Sequence, residues 1–221
     1  MTEQELESEG IRALVIGATG LVGHAIVRAL CVDERVGQVH AFVRRSMSFE
    51  HPKLTSSLVD FDDLAHWKGL IHGDVLFSAL GTTRSQAGGK EAQYKVDYTY
   101  QWECAKAAAG NGVKSFVLIS SVGADAKSPF FYLNMKGKLD EVVRSLGFDA
   151  VHILRPGPLT GEREKPRLGE KLATPLLNLV GRLPGCKAYH PISGEQVATA
   201  ALRWGLESTP GYFLHGPETL F

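Results

Sequence analysis

Short runs of apolar residues alternate with longer stretches of helical spacing along most of the chain. Continuous apolar runs of this length are typical of strands that are buried on both faces of a sheet. The strands are predicted at residues 13–16, 38–43, 57–61, 74–80, 115–120 and 150–154. The stretches between them predict helices, the longest at residues 91–110 and 132–146, and glycine stands at or just after the end of each.

Strands that alternate with helices predict a doubly wound parallel sheet, the Rossmann-type α/β fold. Such sheets bind ligands at the carboxyl ends of their strands. Residues 1–10 are acidic and polar and predict a disordered lead-in, whereas residues 11–221 predict a single domain. Further elements are predicted at residues 172–183, 197–206 and 212–215. Residues 158–196, where the pattern loosens, are expected to form a small cap segment on the substrate side of the cleft.

The first strand runs directly into a glycine turn, and a helix is predicted from His24. Gly17, Gly20 and Gly23 have the spacing GxxGxxG after a strand and before a helix, which is the context of a dinucleotide site. Such a turn lets the backbone approach a pyrophosphate and aims the helix N-terminus at its charge. The alternative is a tight strand-to-helix turn that binds no ligand.

Two positions beyond the next strands bear on which dinucleotide would bind. Arg44 and Arg45 follow the second strand, where an acidic residue would hold the ribose of NAD and an arginine can pair with the 2′-phosphate of NADP. The pair favours NADP over NAD, unless it is an ordinary solvated surface pair. Asp60, after the third strand, either accepts a hydrogen bond from adenine or caps a short helix near Asp63.

A second motif, Tyr132-Leu-Asn-Met-Lys136, opens the helix that follows the fifth strand. Residues four apart share a helix face, so the phenol and the ammonium are expected to meet. The cation favours the phenolate, which suits a group that donates and accepts a proton. The preceding strand ends in Ser120 and Ser121, and a hydroxyl there can orient a substrate carbonyl toward the phenol.

Composition argues against several other classes of function. The formal net charge is zero, so no global field attracts nucleic acid or an anionic membrane. No apolar run is long enough to span a bilayer, and the acidic N-terminus lacks the pattern of a secretory signal peptide. Cys31, Cys104 and Cys186 have neither CxxC nor metal-ligand spacing, which predicts reduced thiols, no metal site and a cytoplasmic protein.

Taken together, the glycine turn, the serine pair and the YxxxK motif resemble the short-chain dehydrogenase/reductase superfamily. Four longer segments are similar to its atypical, NAD(P)H-binding branch, which includes the Tat-interacting oxidoreductase-like family and its bacterial homologues. These segments are LGTTR at 80–84, ISSVGAD at 119–125, FFYLNMKGKLDE at 130–141 and RPGPLTGERE at 155–164.

The resemblance implies roles for the matched residues. Tyr132 would be the acid/base, and Lys136 would assist it and hold the nicotinamide ribose. Ser121, or else Ser120, would polarise the substrate carbonyl. The residues that would line the pyrophosphate are Gly17, Thr19, Gly20, Leu21, Val22 and Gly23. Those that would lie along the rest of the cofactor are Ala79, Leu80 and Gly81, with Pro156 against the nicotinamide.

Two hypotheses of function follow from these features. The first is an NADP(H)-dependent oxidoreductase that transfers hydride to a small carbonyl or quinone-like substrate, with NAD as the less favoured cofactor. The second is a non-catalytic NADP(H)-binding regulatory or interaction protein, in which Tyr132 and Lys136 are a structural pair. The short C-terminal segment argues against a large nucleotide-sugar substrate. A homodimer is compatible with the helices, although no apolar stripe demands one.

Overall fold

A seven-stranded, fully parallel sheet forms the centre of the computed structural model, which describes residues 10–161, 191–207 and 209–220. The strands are β1 (Ile11–Ile16), β2 (Val36–Val43), β3 (Leu54–Leu58), β4 (Val75–Ser78), β5 (Ser115–Ile119), β6 (Ala150–Leu154), β7 (Leu159–Thr160), β8 (Ile192–Ser193) and β9 (Gly211–His215). The order in the large sheet is β3-β2-β1-β4-β5-β6-β9, and β7 pairs with β8 in a separate ladder. The order reverses between β1 and β4, which is where such sheets bind nucleotides.

Helices cover both faces of this sheet. They are α1 (Leu21–Val32), α2 (Leu64–Trp67), α3 (Arg84–Ala87), α4 (Lys90–Tyr94), α5 (Tyr100–Gly110), α6 (Phe131–Val143) and α7 (Gly194–Gly205), with a π-helical turn at Lys95–Thr99 and 3₁₀ turns at Phe61–Asp63, Lys68–Leu70 and Pro217–Thr219. None of the helices in these ranges is long and apolar enough to cross a membrane. The Rossmann-type α/β fold predicted from the alternation of strands and helices is confirmed.

Two apolar clusters fill the space on either side of the sheet. Side chains of α1 and α7 pack against one face, where Val15, Phe77 and Val117 are fully buried. Side chains of α5 and α6 pack against the opposite face. The continuous apolar strands are explained by this arrangement, because successive side chains point to opposite faces and both faces are covered.

The third strand lies three residues earlier than the sequence predicts. It was expected at residues 57–61 and runs instead from Leu54 to Leu58, at the edge of the sheet, with mostly exposed or half-buried side chains. Phe61 is buried beyond the strand against Trp67. An edge strand needs few apolar residues, so the densest apolar run in this region marks the following turn.

Other boundaries also differ from the prediction. The helix expected from His24 begins at Leu21, and the helix expected at residues 91–110 is divided into α4, a π-helical turn and α5. The helix predicted at residues 172–183, most of the cap segment and all but one residue of the lead-in lie outside the described residues. The helix at 197–206 and the strand at 212–215 are confirmed with small shifts, as α7 and β9.

Candidate functional site

A cavity of about 1400 Å³ opens at the carboxyl edge of the sheet, where the strand order reverses. It brings together most of the residues singled out from the sequence: Gly17, Thr19, Gly20, Leu21, Val22, Arg44, Arg45, Ala79, Leu80, Gly81, Tyr132 and Lys136. Four of the predicted site residues are not part of its lining: Gly23, Asp60, Ser121 and Pro156. Across the described ranges, no group of histidine, cysteine and acidic side chains is placed to hold a metal ion.

The glycine turn leaves no room for side chains where β1 passes into α1. Gly17 has a φ of +82°, and a Cβ added to it would lie 2.4 Å from the carbonyl carbon of Ala79. A Cβ on Gly23 would lie 2.1 Å from the carbonyl oxygen of Gly17. Gly23 is therefore needed for the close approach of helix and turn, although it does not line the cavity.

The N-terminus of α1 has no side-chain cap. Its N-cap residue is Gly20, and no side chain accepts a hydrogen bond from the first turn of the helix. The free backbone N–H groups and the helix dipole together favour an anion at this point of the cavity. The narrow turn and the uncapped helix fit the pyrophosphate of a dinucleotide.

One end of the cavity is strongly cationic. Arg44 and Arg45 are exposed there, directly after β2, and His24 and Arg28 of α1 line the same cavity. The Phe49 ring lies 5.8 Å from the Arg28 guanidinium and 6.1 Å from the His24 ring, so the segment after Arg45 folds back across α1. The sequence analysis missed His24 and Arg28 because both look like the solvated face of an amphipathic helix.

Asp60 caps a turn and does not face the cavity. Its carboxylate accepts a 2.9 Å hydrogen bond from the N–H of Asp62 and so caps the 3₁₀ turn at Phe61–Asp63. Its backbone carbonyl accepts a 2.8 Å hydrogen bond from the indole of Trp67. Of the two roles considered for Asp60, the structure contains the cap, and Phe61 lines the cavity in its place.

Tyr132 and Lys136 both reach the cavity from the first turns of α6. The Lys136 side chain is 2% exposed, and its ammonium donates a 3.0 Å hydrogen bond to the carbonyl of Ile119, the last residue of β5. Tyr132 is 39% exposed. A Cβ on Gly137 would lie 2.2 Å from the backbone of Asp125 and Ala126, so the segment before α6 packs tightly on this helix.

The two serines after β5 point to different surroundings. Ser120 is 6% exposed and lines the cavity together with Tyr132 and Lys136, and its hydroxyl has no hydrogen bond of ordinary geometry. The hydroxyl of Ser121 instead donates to the adjacent carbonyl of Val122 at 3.3 Å, outside the lining. The structure thus groups Ser120 with the YxxxK pair, whereas the sequence analysis favoured Ser121.

A buried polar network that the sequence analysis missed supports the loop after β4. Asp97, in the π-helical turn, accepts a 2.9 Å hydrogen bond from the N–H of Thr82 and lines the cavity. Gln101 donates to the carbonyl of Asp97 at 2.7 Å and accepts a 2.8 Å bond from Ser78. Single π-helical turns are frequently found at functional sites, and here the turn places a carboxylate beside Gly81.

Pro156 contributes through its backbone. It follows β6, and its carbonyl accepts a 2.9 Å hydrogen bond from the N–H of Val122, which ties the segments after β5 and β6 together.

The free cysteines Cys31 and Cys104 are buried away from the cavity, and burial raises the pKa of both thiols. Cys186 lies outside the described residues.

The sheet order, the glycine turn and the uncapped helix at the switch point are typical of an NAD(P)H-binding protein. The chain belongs to the NAD(P)H-binding family, whose model matches residues 17–181. The protein therefore has an NAD(P)H-binding fold.

Relatives cover nearly the whole chain. The protein is 38% identical over 202 residues to "Protein FMP52, mitochondrial" of Meyerozyma guilliermondii, which covers 89% of this chain and 86% of the relative. It is 35% identical over 215 residues to the Aspergillus niger protein of the same name, covering 94% and 92%. The fold is similar to UDP-N-acetylglucosamine 4-epimerase from Methanobrevibacter ruminantium M1, with a TM-score of 0.71 and 16% identity over 94% of this chain and 77% of that one.

These relatives correct the predicted compartment. They are named as mitochondrial proteins, which contradicts the cytoplasmic location inferred from the sequence. The cytoplasmic location was inferred from the cysteines. Reduced thiols indicate the redox conditions around a protein, and they do not identify the compartment that provides those conditions.

Proposed function

We propose that the protein is an NADP(H)-dependent oxidoreductase that transfers hydride between the nicotinamide and a small carbonyl or quinone-like substrate. The observation that carries the proposal is the placement of Ser120, Tyr132 and Lys136 in the same cavity as the glycine turn. A serine hydroxyl, a phenol and an ammonium beside a dinucleotide site are suited to adding a hydride and a proton to a carbonyl.

The residues present fit a dinucleotide, and its pyrophosphate, 2′-phosphate and nicotinamide ribose each have a candidate partner. The backbone from Gly17 to Val22 would hold the pyrophosphate, since the turn excludes side chains and α1 is uncapped. Ala79, Leu80 and Gly81 would lie along the cofactor, and Lys136 would hold the nicotinamide ribose. Gly23, Asp60 and Pro156 would not contact the cofactor. They would shape the segments that form the walls of the cavity.

The cationic end of the cavity supports a preference for NADP. Arg44 and Arg45 line this end and would bind a 2′-phosphate, with His24 and Arg28 on the facing helix. Asp97 and Glu195 are the acidic residues among the described lining, and neither follows β2, where a carboxylate would hold the ribose of NAD. Arginine pairs with phosphate through two parallel hydrogen bonds.

In the proposed reaction the bound cofactor supplies the hydride, and the chain's own side chains move the proton. The Ser120 hydroxyl donates a hydrogen bond to the substrate carbonyl oxygen, which favours negative charge there. The Tyr132 phenol then gives its proton to that oxygen, so that a carbonyl becomes an alcohol. Lys136, fixed by its hydrogen bond to Ile119, stabilises the phenolate that remains.

The reaction is tested by the loss of NADPH absorbance across a panel of small carbonyl and quinone compounds. We expect Tyr132→Phe to lower kcat by about 100-fold or more, with the Kd for NADPH changed less than about twofold. Tyr94→Phe is the matched control, since Tyr94 stacks on Tyr98 and does not line the cavity. Turnover that survives Tyr132→Phe unchanged would refute the mechanism. Tight NADPH binding without turnover on any compound would favour the non-catalytic regulatory protein.

The cofactor preference is tested separately, by calorimetric titration with NADPH and NADH. We expect the double variant Arg44→Ala/Arg45→Ala to weaken NADPH binding by about tenfold or more and to change NADH binding little. Arg28→Ala is expected to have a smaller effect in the same direction. Arg203→Ala is the control, because Arg203 also lies over an aromatic ring, Trp204, and is not part of the cavity. Equal affinity of the wild type for both nucleotides would contradict the assignment.

A further inference from the structure

Asp140 of α6 and Arg155, which follows β6, form a partly buried ion pair. Asp140 is 1% exposed and follows Lys136 by one turn of α6. One oxygen of its carboxylate, Oδ2, accepts hydrogen bonds from Arg155 through Nε at 3.0 Å and Nη2 at 2.9 Å. Arg155 is the first residue after β6, so this pair joins α6 to the carboxyl edge of the sheet.

The other carboxylate oxygen of Asp140 lacks a hydrogen-bond donor. Asp140 Oδ1 and Ser120 Oγ are both buried, and neither has a hydrogen bond of ordinary geometry. The two residues are nevertheless neighbours, because the N–H of Ser120 donates to Leu154 and the next residue, Arg155, binds Asp140. Burial raises the pKa of Asp140, and the Ser120 hydroxyl, Lys136 and Arg155 all oppose that shift. Buried polar atoms without partners are rare in native proteins. Ser120 lines the cavity, and Asp140 lies outside its lining.

Backbone hydrogen bonds fix the positions of both side chains. Ile119 and Leu154 are register partners in β5 and β6, and the N–H of Ser120 donates to the carbonyl of Leu154 at 2.8 Å. The phenol of Tyr212, in β9, donates to the backbone carbonyl of Asp140 at 3.1 Å. The backbone of Ser120 is therefore held in place, and its hydroxyl moves mainly by rotation of the side chain.

We infer that Asp140, held by Arg155, is a positioning residue that keeps the Ser120 oxygen in the cavity wall. The inference rests on the proposed reaction. A serine hydroxyl has one proton and rotates to suit its neighbours. Asp140 Oδ1, which has no other donor, is the acceptor available to that proton when the hydroxyl rotates toward it, and the proton turns to a carbonyl oxygen when a substrate arrives. Arg155 and Lys136 then compensate the charge of the carboxylate.

The inference predicts a specific pattern in a double-mutant cycle. Asp140→Asn keeps the shape of the side chain and removes its charge, and we expect it to lower kcat about tenfold without changing the Kd for NADPH more than about twofold. In a Ser120→Ala background the same substitution is expected to change kcat less than about twofold, because Asp140 acts through Ser120. A purely structural role would lower kcat equally in both backgrounds.

Two further variants complete the experiment. Asp149→Asn disrupts an exposed ion pair, Lys114–Asp149 at 3.7 Å, and serves as the control with unchanged kcat. If Asp140→Asn does not fold, Arg155→Lys keeps a cation beside Asp140 but loses the two-pronged contact, and its loss of kcat is expected to vanish in the Ser120→Ala background. Equal losses with and without Ser120 overturn the inference alone. Absence of turnover in the wild type overturns the proposed reaction, and this inference with it.

Discussion

At Gly23 the ordinary preference of a helix for alanine over glycine is reversed by packing. Alanine in a helix interior is more favourable than glycine by roughly 1 kcal/mol. A methyl group on Gly23, however, would lie 2.1 Å from the carbonyl oxygen of Gly17, and backbone cannot move aside as the end of a flexible side chain can. The turn and α1 are therefore closer together than any other residue allows.

We expect Gly23→Ala to lower the free energy of unfolding by about 2 kcal/mol and to weaken NADPH binding, because the turn must shift to accept the methyl group. Urea denaturation followed by circular dichroism, together with nucleotide titration, measures both effects. Gly110→Ala is the control, since a methyl group there meets nothing within 4 Å, and it should be neutral or stabilising. A Gly23→Ala protein as stable as the wild type would be inconsistent with this geometry.

A second feature at the residue scale is a pair of histidines between β6 and β9. His152 and His215 are joined by a 3.1 Å contact between ring nitrogens, and His215 stacks on Trp204 with ring centroids 3.6 Å apart. Burial lowers the pKa of both rings, and His152 adds to the effect on His215, whose pKa falls to about 4.

The histidine pair predicts a loss of stability in mild acid. Below the ordinary histidine pKa of 6.5 the unfolded chain binds protons that the folded protein does not, so stability falls as the pH falls from 6.5 to about 4. Urea midpoints across this range measure the effect, and His215→Phe, which keeps a ring beside Trp204, should make the dependence shallower. Asp33 and Asp62 have a lowered pKa, so the stability that they provide is lost only as the pH falls below the ordinary value of 3.8. A slope unchanged in His215→Phe would rule out this source.

At the scale of elements, α7 is set by a complete capping box. The Ser193 hydroxyl accepts a 3.2 Å hydrogen bond from the N–H of Gln196, and the Gln196 side chain accepts a 3.0 Å bond from the N–H of Ser193. The helix packs against β4 and β5 so closely that a Cβ on Gly205 would lie 2.8 Å from Phe77 and Val117. The cap therefore fixes where a helix in contact with the central strands begins.

We expect Ser193→Ala to lower the free energy of unfolding by about 1 kcal/mol, because the N–H of Gln196 loses its acceptor. Ser193→Asp retains an acceptor oxygen at the N-cap and should remain close to the wild type. Thermal or urea unfolding of the three proteins gives the comparison. Equal losses in both variants would show that the cap contributes nothing and that another contact of Ser193 matters.

The break between α4 and α5 shows what periodicity alone leaves out. The sequence predicts one helix over residues 91–110 because its apolar residues recur at loosely helical spacing. The π-helical turn at Lys95–Thr99 shifts the phase of that spacing and turns Asp97 toward Thr82. The buried carboxylate accepts a hydrogen bond from the backbone N–H of Thr82, which lies 15 residues earlier in a separate loop.

At the scale of the whole molecule, cofactor binding is expected to stabilise the fold. The cavity is formed by segments after β1, β2, β4 and β5 and by α6, which lie together only in the folded protein. NADPH at about 100 times its Kd should add about 2.7 kcal/mol to the free energy of unfolding. NADH at the same concentration should add less, which thermal unfolding with each nucleotide measures. Equal shifts would contradict a preference for the 2′-phosphate.

The sequence by itself determined the features that depend on neighbouring residues along the chain. Strands buried on both faces need continuous apolar runs, and a turn pressed against backbone needs glycine, so the parallel sheet and the first turn were predictable. The shared position of Tyr132 and Lys136 on one face of α6 was predictable, because the helix repeat alone determines it.

Only the tertiary structure decided which residues meet across the cavity. Successive residues at a strand end point in different directions, so Ser120 and Ser121 could not be distinguished until β5 was placed beside β6. Asp60 became a cap because the edge strand ends earlier than its apolar residues suggest. Arg28 and Asp140 look like ordinary helix residues in sequence. Their positions beside the cavity follow from contacts with Phe49 and Arg155, which are distant in sequence and close only after folding.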